Sequence, residues 1–536
     1  MKLIVPDRRD WVLPALLRSR AVELGDRPFL SFAVDEVSVT YAEADERSER
    51  LASGLARLGV ARGDRVLVMT GNRLEFVLTW FALNKLGAFH APVNVEYRGE
   101  WLEYLANLSR ARLMVLEDAY VEAVLASASR LDYLEQLIVV GSAGVPRLPP
   151  RMSGLPFAEV PASGPAPSVL LTPADVYAVL FTSGTTGRSK GALMPYAHGH
   201  LLNERNAELL DMNADAVYFN ELPLFHINAH MTVYSSLLVG GRARLEERFS
   251  ASRWLERVKR SGATHTSMLG VMVDFVLRQP PSPADRDHQL RSVWMVPYIP
   301  ELARRFAERF GARRIVTSYG TTEVGMLARR FPTDDVETLG GEVDEDLYEV
   351  RIVDPDDEPL PAGEVGEIVV RNRLPWTLAS GYLAADELAS AATRNLWFHT
   401  GDVGRLDRSG RLHFVDRLAD RIRRRGENVA SADVEHVLSE HAAVAEVAVV
   451  AVGADEEGGE DEIKACLVLR PGAVWDAEAF WAWCDRRLPY FAIPRYLQLL
   501  DRLPRTPTEK VIKAELRDMK LGLIDRGPGG RVVMGG

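Results

Sequence analysis

Apolar and polar positions follow two periods along the chain, and segments of one kind alternate with segments of the other. Between residues 40 and 59, Ala44, Ser48, Leu51, Leu55 and Leu58 recur at helical spacing among charged residues. That spacing predicts an amphipathic helix. Thr40 is its expected N-cap, with Glu43 three residues on completing a capping box. Gly63-Asp64 turns into Arg65–Met69, an apolar run that reads as a strand. A second amphipathic helix is predicted through Glu75–Leu86, closed by Gly87. Ala91-Pro92-Val93-Asn94 opens the next unit, and Arg112–Leu116 reads as another strand. This alternation predicts an α/β fold of layered helices and a largely parallel sheet. Residues 142–174, rich in Pro, Gly, Ser and Ala, read as a connecting stretch. Beyond residue 418 the pattern changes. Short strands at Glu446–Val452 and Ile463–Leu469 go with helical stretches at 431–440 and 477–487, predicting a small α+β domain. The expected division is 1–417, 418–526, and a disordered Gly- and Arg-rich tail at 527–536.

Candidate chemistry interrupts this pattern at residues 181–191, Phe-Thr-Ser-Gly-Thr-Thr-Gly-Arg-Ser-Lys-Gly. An apolar strand, Val176–Leu180, precedes it, and a short strand, Ala192–Pro195, is predicted after it. Glycines let backbone N–H groups turn toward an anion, hydroxyls donate hydrogen bonds, and lysine supplies a charge. The stretch therefore reads as a polyphosphate-binding loop. It is not a Walker A loop, because Arg188 and Ser189 separate Gly187 from Lys190. Nor is Gly187-Arg188-Ser189-Lys190-Gly191 a nucleophile elbow, because no helix pattern begins at Ser189. His226 and His230 stand four apart, with no glutamate between them to make a zinc-protease helix.

Composition narrows the classes. A 47% hydrophobic and 26% charged content is that of a soluble globular protein. A net charge of −11 argues against a general nucleic-acid binder and keeps any cationic site local. The five arginines between Arg417 and Arg425 accordingly read as a solvated hinge and turn. Cys466 and Cys484 have no metal or redox spacing and suggest a reducing compartment. The N-terminal apolar run is too short for a signal peptide, and no apolar stretch is long enough to span a bilayer. A cytoplasmic enzyme, monomeric or homodimeric and without stable membrane insertion, is expected.

Four motifs together resemble the adenylate-forming superfamily of acyl-CoA synthetases, peptide-synthetase adenylation domains and luciferases. They are the 181–191 loop, Ser318-Tyr319-Gly320-Thr321-Thr322-Glu323, Trp397-Phe398-His399-Thr400-Gly401-Asp402, and Leu503–Lys510. The resemblance implies ATP, Mg²⁺ and CoA as cofactors. It places Thr182, Ser183, Gly184, Thr185, Thr186, Gly187 and Lys190 around the phosphates, Tyr319, Gly320, Thr321 and Thr322 against the adenine and α-phosphate, and Asp402 and Arg417 at the ribose. Glu323 and Thr185 would hold Mg²⁺. Lys510 would be the catalytic lysine, and His226, within Pro223-Leu224-Phe225-His226, would sit beside the reacting carboxylate. Asp420 would be the hinge of a mobile C-terminal domain that carries Gly426, Glu427 and Asn428 into a CoA channel. Asn228, Trp294, Met295, Tyr298 and Ser318 would line the acyl pocket. Phe414-Val415-Asp416-Arg417 through Gly426-Glu427-Asn428 is most like acyl-CoA ligases, and parts of 222–290 are similar to carnitine- and crotonobetaine-CoA ligases.

The sequence departs from the family pattern at four places. Ser189 replaces a proline, Ala419 a lysine and Glu509 a glycine. Trp294-Met295-Val296-Pro297 stands where relatives carry Gly-Gly-Ala-Pro. The implied reaction is ATP-dependent activation of a compact carboxylic acid as an acyl-adenylate, then transfer to CoA. The alternatives are transfer to an amine or other nitrogen nucleophile, and a non-catalytic nucleotide-binding scaffold, against which Lys510, Glu323 and Asp402 argue.

Overall fold

The computed structural model describes residues 3–161, 163–182, 189–296, 298–331, 341–417, 421–425, 427–453, 460–504, 511, 513–519, 522–527 and 533–534. The capping box forms as expected. Helix Tyr41–Arg57 begins at Thr40, whose hydroxyl accepts from the Glu43 N–H while the Glu43 carboxylate accepts from the Thr40 N–H.

Two large sheets carry the N-terminal part. The first has seven strands in the spatial order 153–156, 136–140, 113–117, 65–69, 89–92, 176–182 and 190–195. All its pairs are parallel except the last, where Val176–Thr182 and Lys190–Pro195 form an antiparallel pair flanking the predicted phosphate loop. The strand Ser153–Pro156 lies inside the stretch expected to be a mere connection. It is short and half-exposed, so its composition carried no strand signal.

The second sheet has thirteen strands and is only half parallel. The parallel half runs through 314–321, 292–296, 265–269, 217–220, 242–245 and 28–32, and Ser38–Thr40 adds an antiparallel edge strand there. From Arg314–Thr321 onward the pairing becomes antiparallel, through 325–330, 341–343, 411–417, 398–406, 366–372 and 348–353. The expectation of a largely parallel sheet is thus corrected: it holds for the first sheet and half of the second.

Two helices lie between layers rather than on the surface. Leu74–Lys85 buries all but one of its residues, so it is not amphipathic as predicted; its apolar content is simply high all round. Tyr196–Leu210 is buried at every position except Glu208 despite carrying His, Asn, Glu and Arg. Several of its polar groups find partners: His198 contacts the carbonyls of Thr377 and Thr322, and Arg205 pairs with Asp344. Sequence polarity concealed this core helix, because hydrogen bonding removes most of the cost of burying such groups.

The C-terminal part has its own core around Val449, Ile463, Phe480 and Trp481. A five-stranded sheet includes Val444–Val452 and Glu462–Leu469, with helices Ser431–Ser439 and Ala477–Cys484. A separate hairpin, Arg421–Arg424 with Glu427–Ala430, precedes them. Val533–Met534 pairs as a last short strand with Leu523–Asp525. Both cysteines are buried and unpaired. Among the described residues no helix is long and apolar enough to cross a membrane.

Candidate active site

The two large sheets bring strand ends to one place. Val176–Thr182 ends at Thr182, Val217–Asn220 leads into Pro223–His226, Ser292–Val296 presents its last residues, and Arg314–Thr321 ends in the Ser318–Glu323 motif. Ligands bind at the carboxyl ends of parallel strands because crossover loops and unpaired backbone groups collect there. A cavity of about 270 Å³ occupies this place. Its polar wall is Thr182, Ser318, Gly320, Thr321, Thr322 and Glu323, and its apolar wall includes Leu202, Met231, Trp294, Val296 and Met326.

Strand Arg314–Thr321 changes partners at this point. Ile315 and Val316 pair in parallel with Val293 and Trp294, whereas Tyr319 and Gly320 pair antiparallel with Ala328 and Met326, across a register shift. Gly320 is required there, since a Cβ would lie 1.8 Å from the Gly325 carbonyl oxygen. The irregularity aims Thr321–Glu323 into the cavity. Glu323 accepts hydrogen bonds from Thr182 Oγ1 and the Tyr382 hydroxyl, both at 3.1 Å. Lys190 lies 5.0 Å from the centre of the Tyr382 ring. Burial lowers the pKa of its ammonium, opposed by the charge of Glu323. Tyr382 was missed in the sequence. It lies outside every motif, and backbone pairing of residues 381–383 with Gly191–Leu193 brings it here.

Asp402 and Tyr319 meet beside the cavity rather than in its wall. The Tyr319 hydroxyl donates to Asp402 Oδ2 at 2.9 Å, and the Tyr319 ring stacks with Phe414 at 5.6 Å between centroids. Arg417 lies directly opposite Asp402 in the antiparallel ladder.

His226 is the N-cap of helix Ile227–Val239 and lines the cavity. Its Nε2 lies 2.9 Å from Glu427 Oε2, so the C-terminal hairpin reaches into the site. Arg423 and Asp433 join Glu427 in the wall, as do Tyr97 and Trp101 from the N-terminal part. These residues were also missed, apart from Glu427, because the packing of two distant segments creates the wall. Trp101 meets Phe491 edge to face at 6.2 Å across that contact. His230, one turn from His226, instead stacks on Trp80 at 4.5 Å in the core, so the two histidines share no site.

Three acyl-pocket expectations are corrected. Residues 292–296 form a strand, whose successive side chains face opposite ways. Trp294 and Val296 face the cavity, while Met295 is fully buried in the core behind it. Tyr298 packs in the same core under the Arg330 guanidinium, 4.1 Å from its ring centre. Asn228 accepts from Asn220 Nδ2 at 3.1 Å and does not line the cavity. Trp294 and Ser318 remain in the wall. Ser183, Gly184, Thr185, Thr186, Gly187, Asp420, Gly426 and Lys510 lie outside the described residues, as do the side chains of Arg417 and Asn428.

The donor set suits a hard cation and a nucleotide. Glu323 and the Thr182 hydroxyl offer oxygen ligands of the kind Mg²⁺ takes, with Lys190 close by for phosphate charge.

Comparison with known proteins agrees with this geometry. Residues 17–383 match the family described as AMP-binding enzyme, and residues 433–510 match the AMP-binding enzyme C-terminal domain. The chain is 31% identical over 515 residues to a crotonobetaine/carnitine–CoA ligase of Salmonella enteritidis, covering 92% of this chain and 96% of that relative. Among solved structures it resembles a double mutant of o-succinylbenzoate CoA synthetase from Bacillus subtilis bound with a product analogue, with TM-score 0.79 and 25% identity over 94% of this chain and 98% of that one. It also resembles the amide bond synthetase McbA from Marinactinospora thermotolerans, with TM-score 0.78 and 26% identity over 94% and 99%. With matches in both its N-terminal and C-terminal parts, and nucleotide-type donors converging on one cavity, the chain belongs to the AMP-binding enzyme family.

Proposed function

We propose that the protein is an AMP-forming acid–CoA ligase for a compact carboxylic acid. The acid attacks the α-phosphate of ATP, giving an acyl-adenylate and pyrophosphate. The CoA thiol then displaces AMP and forms the thioester. A free carboxylate cannot do this directly, because its leaving group would be oxide; adenylation turns that group into AMP. The observation that carries the reading is the convergence of Thr182, Ser318, Gly320, Thr321, Thr322, Glu323 and the C-terminal Glu427 on a single cavity.

The roles follow from the chemistry of the residues and the family resemblance of their motifs. Lys190, Thr182 and the 183–187 loop would bind the phosphates, and Asp402 with Arg417 the ribose. Glu323 would hold Mg²⁺, which when bound neutralises phosphate charge. Lys510 would stabilise negative charge during adenylation. His226 stands where the acid and the incoming thiol would meet, and Glu427 holds its ring. Trp294 closes the acyl pocket, which favours a short-chain or single-ring acid. The pocket wall formed by Leu202, Met231, Trp294, Val296 and Met326 bears no charge, so the acid's tail is expected to be apolar.

The amide bond synthetase resemblance keeps a nitrogen acceptor as the second reading. A carboxylate library screened by ATP–pyrophosphate exchange, with and without CoA, tests both. CoA-dependent AMP release with a thioester detected by mass spectrometry is the expected result. An adenylate that ignores CoA and reacts with amines would favour the second reading.

A further inference from the structure

The turn that carries His226 is held from the other large sheet. Asn72 lies in the loop between strand Arg65–Met69 and helix Leu74–Lys85 and is 2% exposed. Its Nδ2 donates to the Leu222 carbonyl at 2.9 Å and to the Glu246 carbonyl at 2.8 Å, and its Oδ1 accepts from the Leu224 N–H at 2.8 Å. Two acceptors and one donor fix which way the amide faces, since only its nitrogen donates. The bonds to Leu222 and Leu224 bracket Pro223, whose carbonyl accepts from the His226 N–H at 3.1 Å. A second buried asparagine braces the same turn from its own sheet. Asn220 Oδ1 accepts from the Leu222 N–H at 2.6 Å, and its Nδ2 donates to Thr232 Oγ1 at 2.6 Å in the helix that follows His226.

The loop bearing Asn72 is itself anchored. The Gly71 N–H donates to the Glu117 carboxylate at 3.0 Å, and Arg73 pairs with Glu117 at 3.1 Å and with Asp35 at 2.7 Å. Asn72 does not line the active cavity, whereas Phe225 and His226 do. Its influence on the chemistry must therefore pass through the turn. The His226 side chain is 39% exposed, so close packing does not fix its ring. The ring is placed by the backbone beneath it and by the contact with Glu427. Misplacing a reacting group by about 1 Å can cost about a hundredfold in rate.

We infer that Asn72 is a positioning residue for the reaction: it sets the backbone of the 222–226 turn and thereby the place of the His226 ring. Resting on the role given to His226 above, this assignment adds what holds that side chain where the acid and the thiol would meet. Asn72→Asp keeps the shape and the bond from Leu224 but removes both donated bonds, leaving two buried carbonyls without that donor. Asn72→Ala removes all three bonds.

Steady-state kinetics of the full-length protein test it, in the wild-type and His226→Ala backgrounds. The probes are ATP, CoA and whichever of butyrate, hexanoate and benzoate gives the fastest pyrophosphate exchange, with rates scaled to the folded fraction from thermal unfolding. Asn72→Asp should lower kcat by about tenfold or more while KM for ATP stays within about twofold. In the His226→Ala background the same change should cost less than about twofold, because the group it positions is gone. Asn72→Ala should follow the same pattern, and Asn72→Asp decides if the alanine variant does not fold. If Asn72→Asp keeps the wild-type kcat, or lowers it by one factor in both backgrounds, Asn72 serves only stability; the positioning role is overturned and the reading of His226 stands. If His226→Ala alone reacts as fast as the wild type, that reading falls and the positioning role falls with it.

Discussion

Trp294 and Met295 are neighbours in one strand and face opposite ways, so the two positions should answer differently to the same substitution. Trp294→Gly removes an indole from the cavity wall. Overfilling a packed site costs about 1–3 kcal/mol, and about 1.4 kcal/mol is tenfold in rate. The variant should therefore gain roughly tenfold on longer acids relative to the native substrate, read as ratios of kcat/KM along a chain-length series. Met295→Gly should leave that profile unchanged and lose about 2–5 kcal/mol of stability, since it opens a cavity in the core. A shifted profile in Met295→Gly, or an unshifted one in Trp294→Gly, would contradict this division. His230 offers a second test at this scale. Burial lowers its pKa to about 3, against about 6.5 unfolded. Between those values the unfolded chain binds a proton that the folded one does not. His230's contribution to stability is thus complete above about pH 6.5 and is lost as pH falls toward 3, by about 1.4 kcal/mol per pH unit. His230→Phe keeps a ring against Trp80 without the titration. Its unfolding free energy should fall less steeply between pH 6.5 and 4; equal slopes would mean that His230 is protonated in the fold.

At the scale of elements, the helix Tyr41–Arg57 and the strands Arg65–Met69 and Leu113–Glu117 were legible because period and capping act locally. The strand 153–156 and the helix 196–210 were not, because each depends on partners far away in sequence. The hairpin 421–430 shows the same limit at the site. Its motif is readable, but that Glu427 meets His226 is a fact of packing. That contact belongs to the thioester step in the proposed cycle. Glu427→Gln, which keeps the shape and removes the charge, should slow thioester formation by about tenfold or more while adenylation is spared. Stopped-flow measurement of each half-reaction separates the two. A larger loss in adenylation than in transfer would assign Glu427 to the wrong step.

For the whole molecule, the contact between Trp101 and Phe491 and the seating of Glu427 define one arrangement of the N- and C-terminal parts. The proposed cycle requires a second, in which Lys510 takes part in adenylation. Lys510→Ala should nearly abolish adenylate formation and leave transfer from a supplied acyl-adenylate largely intact. Asp420→Pro should do the reverse, because proline fixes φ at the proposed pivot. Equal loss of both half-reactions in Lys510→Ala, or an untouched thioester step in Asp420→Pro, would show that the cycle does not alternate in this way.

The sequence alone carried the family and the α/β class, and it supplied the motifs proposed above to bind the nucleotide. Each is a short run whose chemistry or period is complete within itself. Only the tertiary structure decided which side of strand 292–296 faces the cavity, that Tyr382 supports Glu323, that His230 belongs to the core, and that arginines from 424 to 526 line one cavity. Side-chain direction in a strand is set by pairing and pleat, and a cavity wall is set by segments that meet only when the chain is folded.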